Sequence, residues 1–95
     1  MPATGAIVVS MELPARFEDA QKRVKELSSA PSNDDLLELY AFYKQATTGD
    51  VSGSRPGMMD FKGRAKFDSW AKKKGTTKDL AMESYVKLVD KLTGK

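Results

Sequence analysis

The sequence contains no cysteine and no histidine, and it has a single tryptophan among its 95 residues. The absence of cysteine excludes disulfides, and the absence of both residues excludes Cys/His zinc sites. Serine–histidine and cysteine–histidine nucleophiles and imidazole acid–base chemistry are excluded for the same reason. Much of the enzyme repertoire is therefore excluded, and we expect no metal site.

Long hydrophobic runs are also missing, and none approaches the roughly 20 residues that cross a bilayer. The apolar stretch at residues 6–9 has no basic residue before it, which is not typical of a secretory signal. We expect a cytoplasmic protein without stable membrane insertion. Residues 1–14 are predicted to form a flexible tail, and residues 15–95 a single domain.

The basic residues are unevenly distributed along the chain. The sequence has 16 basic and 13 acidic residues, but nine basic and only three acidic ones lie between residues 44 and 78. Such a block is typical either of a polyanion site or of the solvated, lysine-rich face of a helix. Charge alone favours the solvated face.

The hydrophobic pattern has a helical period nearly throughout. Phe17, Ala20, Val24 and Leu27 recur at steps of three and four, which places them on one side of a helix. Proline, glycine and N-cap residues divide the rest of the sequence into further helical segments. The sequence predicts four helices, over residues 15–28, from Ser32 to about residue 48, over residues 63–74, and from an N-cap at Thr76 onward. We expect an all-α, four-helix bundle.

The lengths of the links bear on the topology of the bundle. Short links between helices 1 and 2 and between helices 3 and 4 predict that each of these pairs packs as antiparallel neighbours. The long, glycine-rich central loop permits helices 2 and 3 to run parallel. An up-down-down-up order is therefore allowed, although the loop lengths do not select it.

Two clusters of polar and aromatic side chains are candidates for a binding site. Tyr40, Tyr43 and Lys44 share one side of helix 2, and Lys62 and Lys66 are one turn apart near the start of helix 3. A tyrosine in a small bundle can also be a core residue, and the lysines could be solvated, but two phenols beside an ammonium group favour a site. If helices 2 and 3 are adjacent, the clusters form a cationic pocket with aromatic walls, which suits a phosphorylated ligand.

Several short segments in these regions resemble those of a known family. They are Tyr43-Lys44-Gln45-Ala46-Thr47, Gly49-Asp50, Arg55-Pro56-Gly57, Asp60-Phe61-Lys62-Gly63, Ala65-Lys66, Trp70, Gly75-Thr76 and Tyr85. In this order and spacing, over about residues 15–93, the sequence resembles the acyl-coenzyme A binding protein family.

The resemblance implies an up-down-down-up bundle that binds medium- and long-chain acyl-CoA esters such as palmitoyl-CoA. It implies an intracellular carrier that maintains an acyl-CoA pool and is not an enzyme, with no catalytic residue and no cofactor, and we expect a monomer. The implied ligand contacts are Tyr40 and Lys44 at the phosphates, Lys44 and Lys66 at the ribose 3′-phosphate, Tyr43 at adenine, Lys25 near the nucleotide, Lys62 and Tyr85 as further contacts, and Leu36 and Leu37 along the acyl chain.

Two other functions remain open at this point. The basic middle third with interleaved aromatic residues is compatible with a small nucleic-acid-binding module, and a bundle with an exposed groove could bind another protein. A carrier requires the lysines and tyrosines to converge on one pocket. A nucleic-acid module requires the basic residues to form an extended stripe.

Overall fold

The computed structural model describes residues 12–94, and it contains four helices and no strand within that range. Helix α1 spans Leu13–Lys25, α2 spans Asn33–Thr47, α3 spans Phe61–Ala71 and α4 spans Lys78–Leu92. The predicted all-α class is confirmed. Most of the predicted tail, residues 1–11, lies outside the described residues.

The first helix begins two residues before its predicted start at residue 15. Pro14 occupies the first turn, where a missing backbone N–H leaves no hydrogen bond unmade. Leu13 and Pro14 therefore belong to α1 rather than to the predicted tail. The helix ends at Lys25, three residues before its predicted end, and three basic side chains lie in its last turn.

Side-chain caps set the start of the other helices. The Ser32 hydroxyl accepts a hydrogen bond from the backbone N–H of Asp35 at 3.1 Å, as predicted for α2. The predicted cap of α4 was wrong by one residue. The hydroxyl of Thr77, rather than that of Thr76, accepts from the backbone N–H of Leu80 at 3.1 Å.

Helix packing follows the apolar faces rather than the short links. Helix α4 packs against both α1 and α2, and α2 also packs against α3. The prediction that helices 1 and 2, and helices 3 and 4, are packed neighbours was wrong for the described part of the chain. A short link brings only the helix ends together, whereas buried residues such as Ala81, Tyr85 and Val89 decide which faces of α4 meet its partners.

Contacts between α1 and α4 show that these two helices are parallel. The rings of Phe17 and Tyr85 lie 5.0 Å apart, centroid to centroid. Further along both helices, Arg23 donates to Asp90 at 2.9 Å. Both contacts advance in the same direction along the chain, so α1 and α4 run the same way.

The same reasoning fixes the direction of α2 and α3. The ammonium group of Lys66 lies over the ring of Tyr40, and that of Lys44 lies over the ring of Trp70. Each helix advances by one turn between these two contacts, in the same direction. Helices α2 and α3 are therefore parallel, as the long central loop permits.

One contact relates the remaining pair, α2 and α4. Gln45, near the end of α2, donates to the carbonyl of Thr76, just before α4 begins. The end of one helix therefore meets the start of the other, and the two are antiparallel. Together these relations give the up-down-down-up order, which confirms the topology that the resemblance implied.

A polar hub ties the end of α2 to the link between α3 and α4. The fully buried Gln45 donates through Nε2 to Asp50 Oδ1 and to the carbonyl of Thr76, both at 2.8 Å. Asp50 Oδ1 also accepts from the backbone N–H of Gly75 at 2.9 Å. The Gly75 hydrogen bond, followed by that from Gln45, lowers the pKa of Asp50 below its ordinary value.

The core lies mainly between α1, α2 and α4. Its largest cluster of buried residues consists of Phe17, Ala20, Leu39, Ala46, Ala81, Tyr85, Val86 and Val89. None of the helices in residues 12–94 is long and apolar enough to span a membrane.

Candidate functional site

An open groove of about 420 Å³ lies between the first turns of the parallel helices α2 and α3. A volume of this size is within the range of small-molecule sites. The lining is mainly apolar and includes two lysines; it consists of Asn33, Leu36, Leu37, Phe61, Lys62, Ala65 and Lys66. The structure thus brings together four residues predicted for the site, namely Leu36, Leu37, Lys62 and Lys66.

Three of the groove residues, Asn33, Phe61 and Ala65, were missed by the sequence analysis. Phe61 was missed because the helix was predicted to begin at residue 63, which left Phe61 in a loop. Asp60 caps the helix by accepting from the backbone N–H of Gly63 at 3.0 Å, so Phe61 is the first helical residue. The helical spacing of Phe61 and Ala65, had the start been correct, would have placed both on one face.

Two lysines, of which Lys66 also lines the groove, lie over aromatic rings of the neighbouring helix. Lys66 Nζ on α3 lies 5.4 Å from the ring centroid of Tyr40 on α2. One turn further, Lys44 Nζ on α2 lies 4.9 Å from the ring centroid of Trp70 on α3. We call these four residues the cation–aromatic ladder. Contact with the ring faces holds both ammonium groups at the junction of the two helices.

Trp70 is a buried residue. Its indole N–H donates to the carbonyl of Gly49 at 2.8 Å, which fixes the orientation of the ring. The ring also supports Lys44, a contact that the sequence pattern did not indicate. Because α2 and α3 are parallel, Trp70 and Lys44 occupy the same level of the bundle.

Tyr43 and Tyr85, the other aromatic residues predicted for the site, both pack against Phe17. The ring centroids of Tyr43 and Phe17 are 6.0 Å apart, and Tyr85 packs edge-on against Phe17. Tyr43 is 39% exposed and retains ring surface that can stack against a planar group, whereas Tyr85 is only 6% exposed. Burial, and then the proximity of Tyr43, raises the pKa of Tyr85, so its phenol stays protonated and can donate a hydrogen bond.

Lys25 is a predicted site residue that lies away from the groove and from the cation–aromatic ladder. It is exposed at the last position of α1, eight residues beyond Phe17. That spacing corresponds to about 12 Å along the helix axis. The contacts described for residues 12–94 do not join Lys25 to the groove or to the ladder, so its role stays a prediction.

The distribution of ion pairs leaves the site positively charged. Arg55 pairs with Asp68 at 2.7 Å, which also lowers the pKa of that carboxyl, and Lys73 pairs with Glu38 at 2.8 Å. Within the described range, no ion pair involves the site lysines, which are Lys44, Lys62 and Lys66. Their charges are therefore available to an anionic ligand.

Comparison with known proteins identifies a matching family and similar sequences. A family model described as "Acyl CoA binding protein" matches residues 14–89. "Acyl-CoA-binding protein homolog 1" of Caenorhabditis elegans is 52% identical over 79 residues, which cover 83% of this chain and 92% of the relative. "Acyl-CoA-binding protein" of Brassica napus is 49% identical over 82 residues, which cover 86% of this chain and 89% of the relative.

Solved structures show the same architecture. The crystal structure of Oryza sativa Acyl-CoA-Binding Protein 2 superposes with a TM-score of 0.83 at 40% identity, covering 87% of this chain and 92% of that one. The solution structure of yeast Acyl Coenzyme A Binding Protein gives a TM-score of 0.66 at 46% identity, covering 82% of this chain and 91% of that one.

Proposed function

The chain belongs to the acyl-CoA-binding protein family, and we propose that it binds acyl-CoA esters and carries them without transforming them. The observation that supports this most directly is the mainly apolar groove beside lysines that have no carboxylate partner in the described part of the chain. An acyl-CoA ester joins a polyanionic nucleotide to a long apolar chain. A site for it needs both kinds of surface, side by side.

The ladder suits the phosphorylated end of the ligand. Lys44 and Lys66 would neutralise the phosphates, including the ribose 3′-phosphate, and the hydroxyl of Tyr40 would donate to a phosphate oxygen. The exposed ring of Tyr43 would stack on adenine. We assign Lys62 and Tyr85 as further contacts, and Lys25 as a contact to the nucleotide.

The groove suits the acyl chain. Both sides of the groove, which is open to solvent, have apolar surface that comes from Leu36, Leu37 and Phe61. Removing a 16-carbon chain from water contributes ~0.8 kcal/mol per methylene, or on the order of 12 kcal/mol before the cost of ordering the chain. The nucleotide would therefore determine specificity, and the chain would supply much of the affinity.

A carrier that leaves the thioester intact fits the chemistry of the site. Cleaving a thioester requires an activated nucleophile or an acid–base pair, and cysteine and histidine, two residues that often supply them, are absent from the sequence. The raised pKa of Tyr85 favours the neutral phenol, the opposite of activation. We propose a monomeric cytoplasmic protein that maintains a pool of medium- and long-chain esters.

The nucleic-acid alternative has less support. Its requirement is an extended stripe of basic residues, yet Arg55 and Lys73 are paired with carboxylates and the cations of the ladder converge between two helices. None of the matches reported above is to a nucleic-acid-binding protein.

Calorimetric titration with palmitoyl-CoA, CoA, palmitate and a single-stranded oligonucleotide tests the proposal. We expect one palmitoyl-CoA per chain, much weaker binding of CoA and of palmitate, and the thioester recovered intact. Palmitate binding as tightly as the ester, or an oligonucleotide binding more tightly, would contradict the proposal.

A series of saturated acyl-CoA esters from about 8 to about 20 carbons tests the role of the groove. Each added pair of methylenes should contribute at most ~1.6 kcal/mol, or about 15-fold in affinity, until the groove is filled. Beyond that length the affinity should level off. Calorimetry that gives the same Kd at every length would mean that the chain lies in solvent.

A further inference from the structure

Trp70 is held in one orientation by contacts on more than one side. It is the single tryptophan of the chain, and it is only 7% exposed. Its indole N–H donates to the carbonyl of Gly49 at 2.8 Å, and the ring of Phe67 packs edge-on against it, with 6.5 Å between the ring centroids. A buried ring whose N–H is hydrogen-bonded has little freedom to turn. Trp70 is therefore a rigid surface for a side chain that lies over it.

The glycine that anchors the indole is itself bonded to Lys44. The backbone N–H of Gly49 donates to the carbonyl of Lys44 at 3.1 Å, and Gly49 has a φ of 100°, a left-handed conformation that glycine adopts without strain. Trp70 thus contacts Lys44 directly, with the ring 4.9 Å from the ammonium nitrogen, and indirectly through Gly49. The backbone and the side chain of Lys44 are both tied to the same ring.

The two lysines of the ladder differ in how closely they are held. Lys66 is exposed, and the ring of Tyr40 beneath it is only half-buried. Lys44 is half-buried, and the ring of Trp70 beneath it is buried. A cation is attracted more strongly to a ring that is shielded from water, and tryptophan is the strongest of the aromatic partners. The position of Lys44 therefore depends more on its ring than that of Lys66 does.

We propose that Trp70 is a positioning residue that sets the preference of this chain for a nucleotide with a ribose 3′-phosphate. The inference rests on the proposed function, which directs Lys44 at that phosphate. Because Trp70 is buried, it acts through Lys44 rather than by touching a ligand. Lysine is a point charge on a flexible stem, and it loses freedom when it binds a phosphate. A ring that already holds the ammonium group reduces this loss, and the benefit falls to the ligand that carries the phosphate.

Calorimetry with palmitoyl-CoA and with its 3′-dephospho analogue measures the preference as a ratio of two dissociation constants. We expect the unmodified chain to bind palmitoyl-CoA more tightly. Trp70→Phe has a smaller ring and no bond to Gly49, and it should reduce the ratio about fivefold. The matched control is Phe42→Leu, because Phe42 lies beneath a different lysine, Lys73, at 4.4 Å. This control should keep the ratio of the unmodified chain.

A double-mutant cycle separates positioning from a general loss of structure. Trp70→Phe should lower the ratio when Lys44 is present, but it should leave the ratio unchanged in the Lys44→Ala background, because no ammonium group remains to be placed. A general loosening of the fold would weaken both esters alike and would not alter the ratio. Circular dichroism should show the same helix content in all four proteins.

Proton NMR of the ligand-free, unmodified chain tests the contact without a substitution. The ring current of Trp70 should displace the terminal methylene protons of Lys44 from those of Lys87, an exposed lysine on α4. The inference is overturned if these protons coincide, if Trp70→Phe keeps the ratio, or if it lowers the ratio equally in both backgrounds. An unmodified chain that binds neither ester would contradict the proposed function and the preference with it, while the NMR result would still show whether Trp70 holds Lys44.

Discussion

At the scale of single residues, the two lysines of the ladder are partly ordered before a ligand arrives. Lys44 and Lys66 each rest on an aromatic ring, which limits the side-chain freedom lost when a phosphate binds. Their charges are not neutralised by a carboxylate within residues 12–94, so a phosphate does not have to displace an ion pair. Both features favour anion binding at this position.

We therefore expect Lys44→Ala and Lys66→Ala each to weaken palmitoyl-CoA binding by about 1.5 to 3 kcal/mol, the range for hydrogen bonds to charged groups. Calorimetry gives the affinity, and circular dichroism should show unchanged helix content. Lys87→Ala, at an exposed position on α4, is the matched control and should bind normally. Loss of helix content in the ladder variants would mean that the lysines are structural.

Gln45 gives a second prediction at this scale, because it is a fully buried amide with two hydrogen bonds to other segments. Gln45→Met keeps most of the volume but leaves the carbonyl of Thr76 without this donor. We expect a loss of about 1 to 3 kcal/mol in the free energy of unfolding. Gln45→Ala adds a cavity and should cost more, about 2 to 4 kcal/mol. Urea unfolding measures the stability of both variants. A Gln45→Met variant as stable as the unmodified chain would show that the hydrogen bonds of Gln45 do not stabilise the fold.

At the scale of one helix, the start of α3 shows two local effects in opposition. Gly63 lies in the first turn, and an added Cβ there would fall on the capping carboxylate of Asp60. Replacing glycine by alanine inside a helix contributes about 1 kcal/mol. Loss of an N-cap costs about the same amount. The two effects should nearly cancel in Gly63→Ala.

Combining the two substitutions separates these effects. We expect Gly63→Ala alone to change the free energy of unfolding by about 0 kcal/mol, and Asp60→Ala alone to lower it by about 1 kcal/mol. In the Asp60→Ala background, Gly63→Ala should become stabilising by about 1 kcal/mol, because no carboxylate remains to be displaced. Guanidinium unfolding of the four proteins completes the double-mutant cycle. If the effects of the two substitutions on the free energy of unfolding simply added, the Cβ of residue 63 and the Asp60 carboxylate would not compete for the same space.

At the scale of the whole molecule, Asp50 connects segments that are distant in sequence. Its carboxylate accepts from Gln45 at the end of α2 and from Gly75 before α4, and these bonds lower its pKa. A pKa that is lower in the folded state than in the unfolded chain stabilises the fold above the unfolded value, about 3.9. That contribution is lost as the pH falls through the folded pKa.

We therefore expect urea midpoints of the unmodified chain to fall as the pH is lowered from about 5 to about 2. Asp50→Asn should be less stable at neutral pH and should lose less stability on acidification. Asp68, whose pKa is lowered by its hydrogen bond with Arg55, contributes in the same direction. Adding Asp68→Asn should flatten the profile further. An Asp50→Asn profile parallel to that of the unmodified chain would exclude this role for Asp50.

Several predictions that depend on local interactions were confirmed. The cap at Ser32 and the helical periods depend on residues within a few positions of one another. The predicted start of α3 was wrong because Gly63 was interpreted as a boundary, when the cap at Asp60 allows the helix to begin before it. The helix neighbours were wrong because packing depends on faces that are far apart along the chain.

The sequence alone determined the helical class, the residue types available for chemistry and the clustering of cations between residues 44 and 78. Periodicity, composition and charge are properties of the sequence itself and do not depend on how the chain folds. Only the tertiary structure decided that Lys66 rests on Tyr40 while Lys44 rests on Trp70, and that Phe61 joins Leu36 and Leu37 in one groove. Those contacts require α2 and α3 to lie parallel and in one register. Their register is fixed by side chains from different helices packing together, which no local pattern specifies.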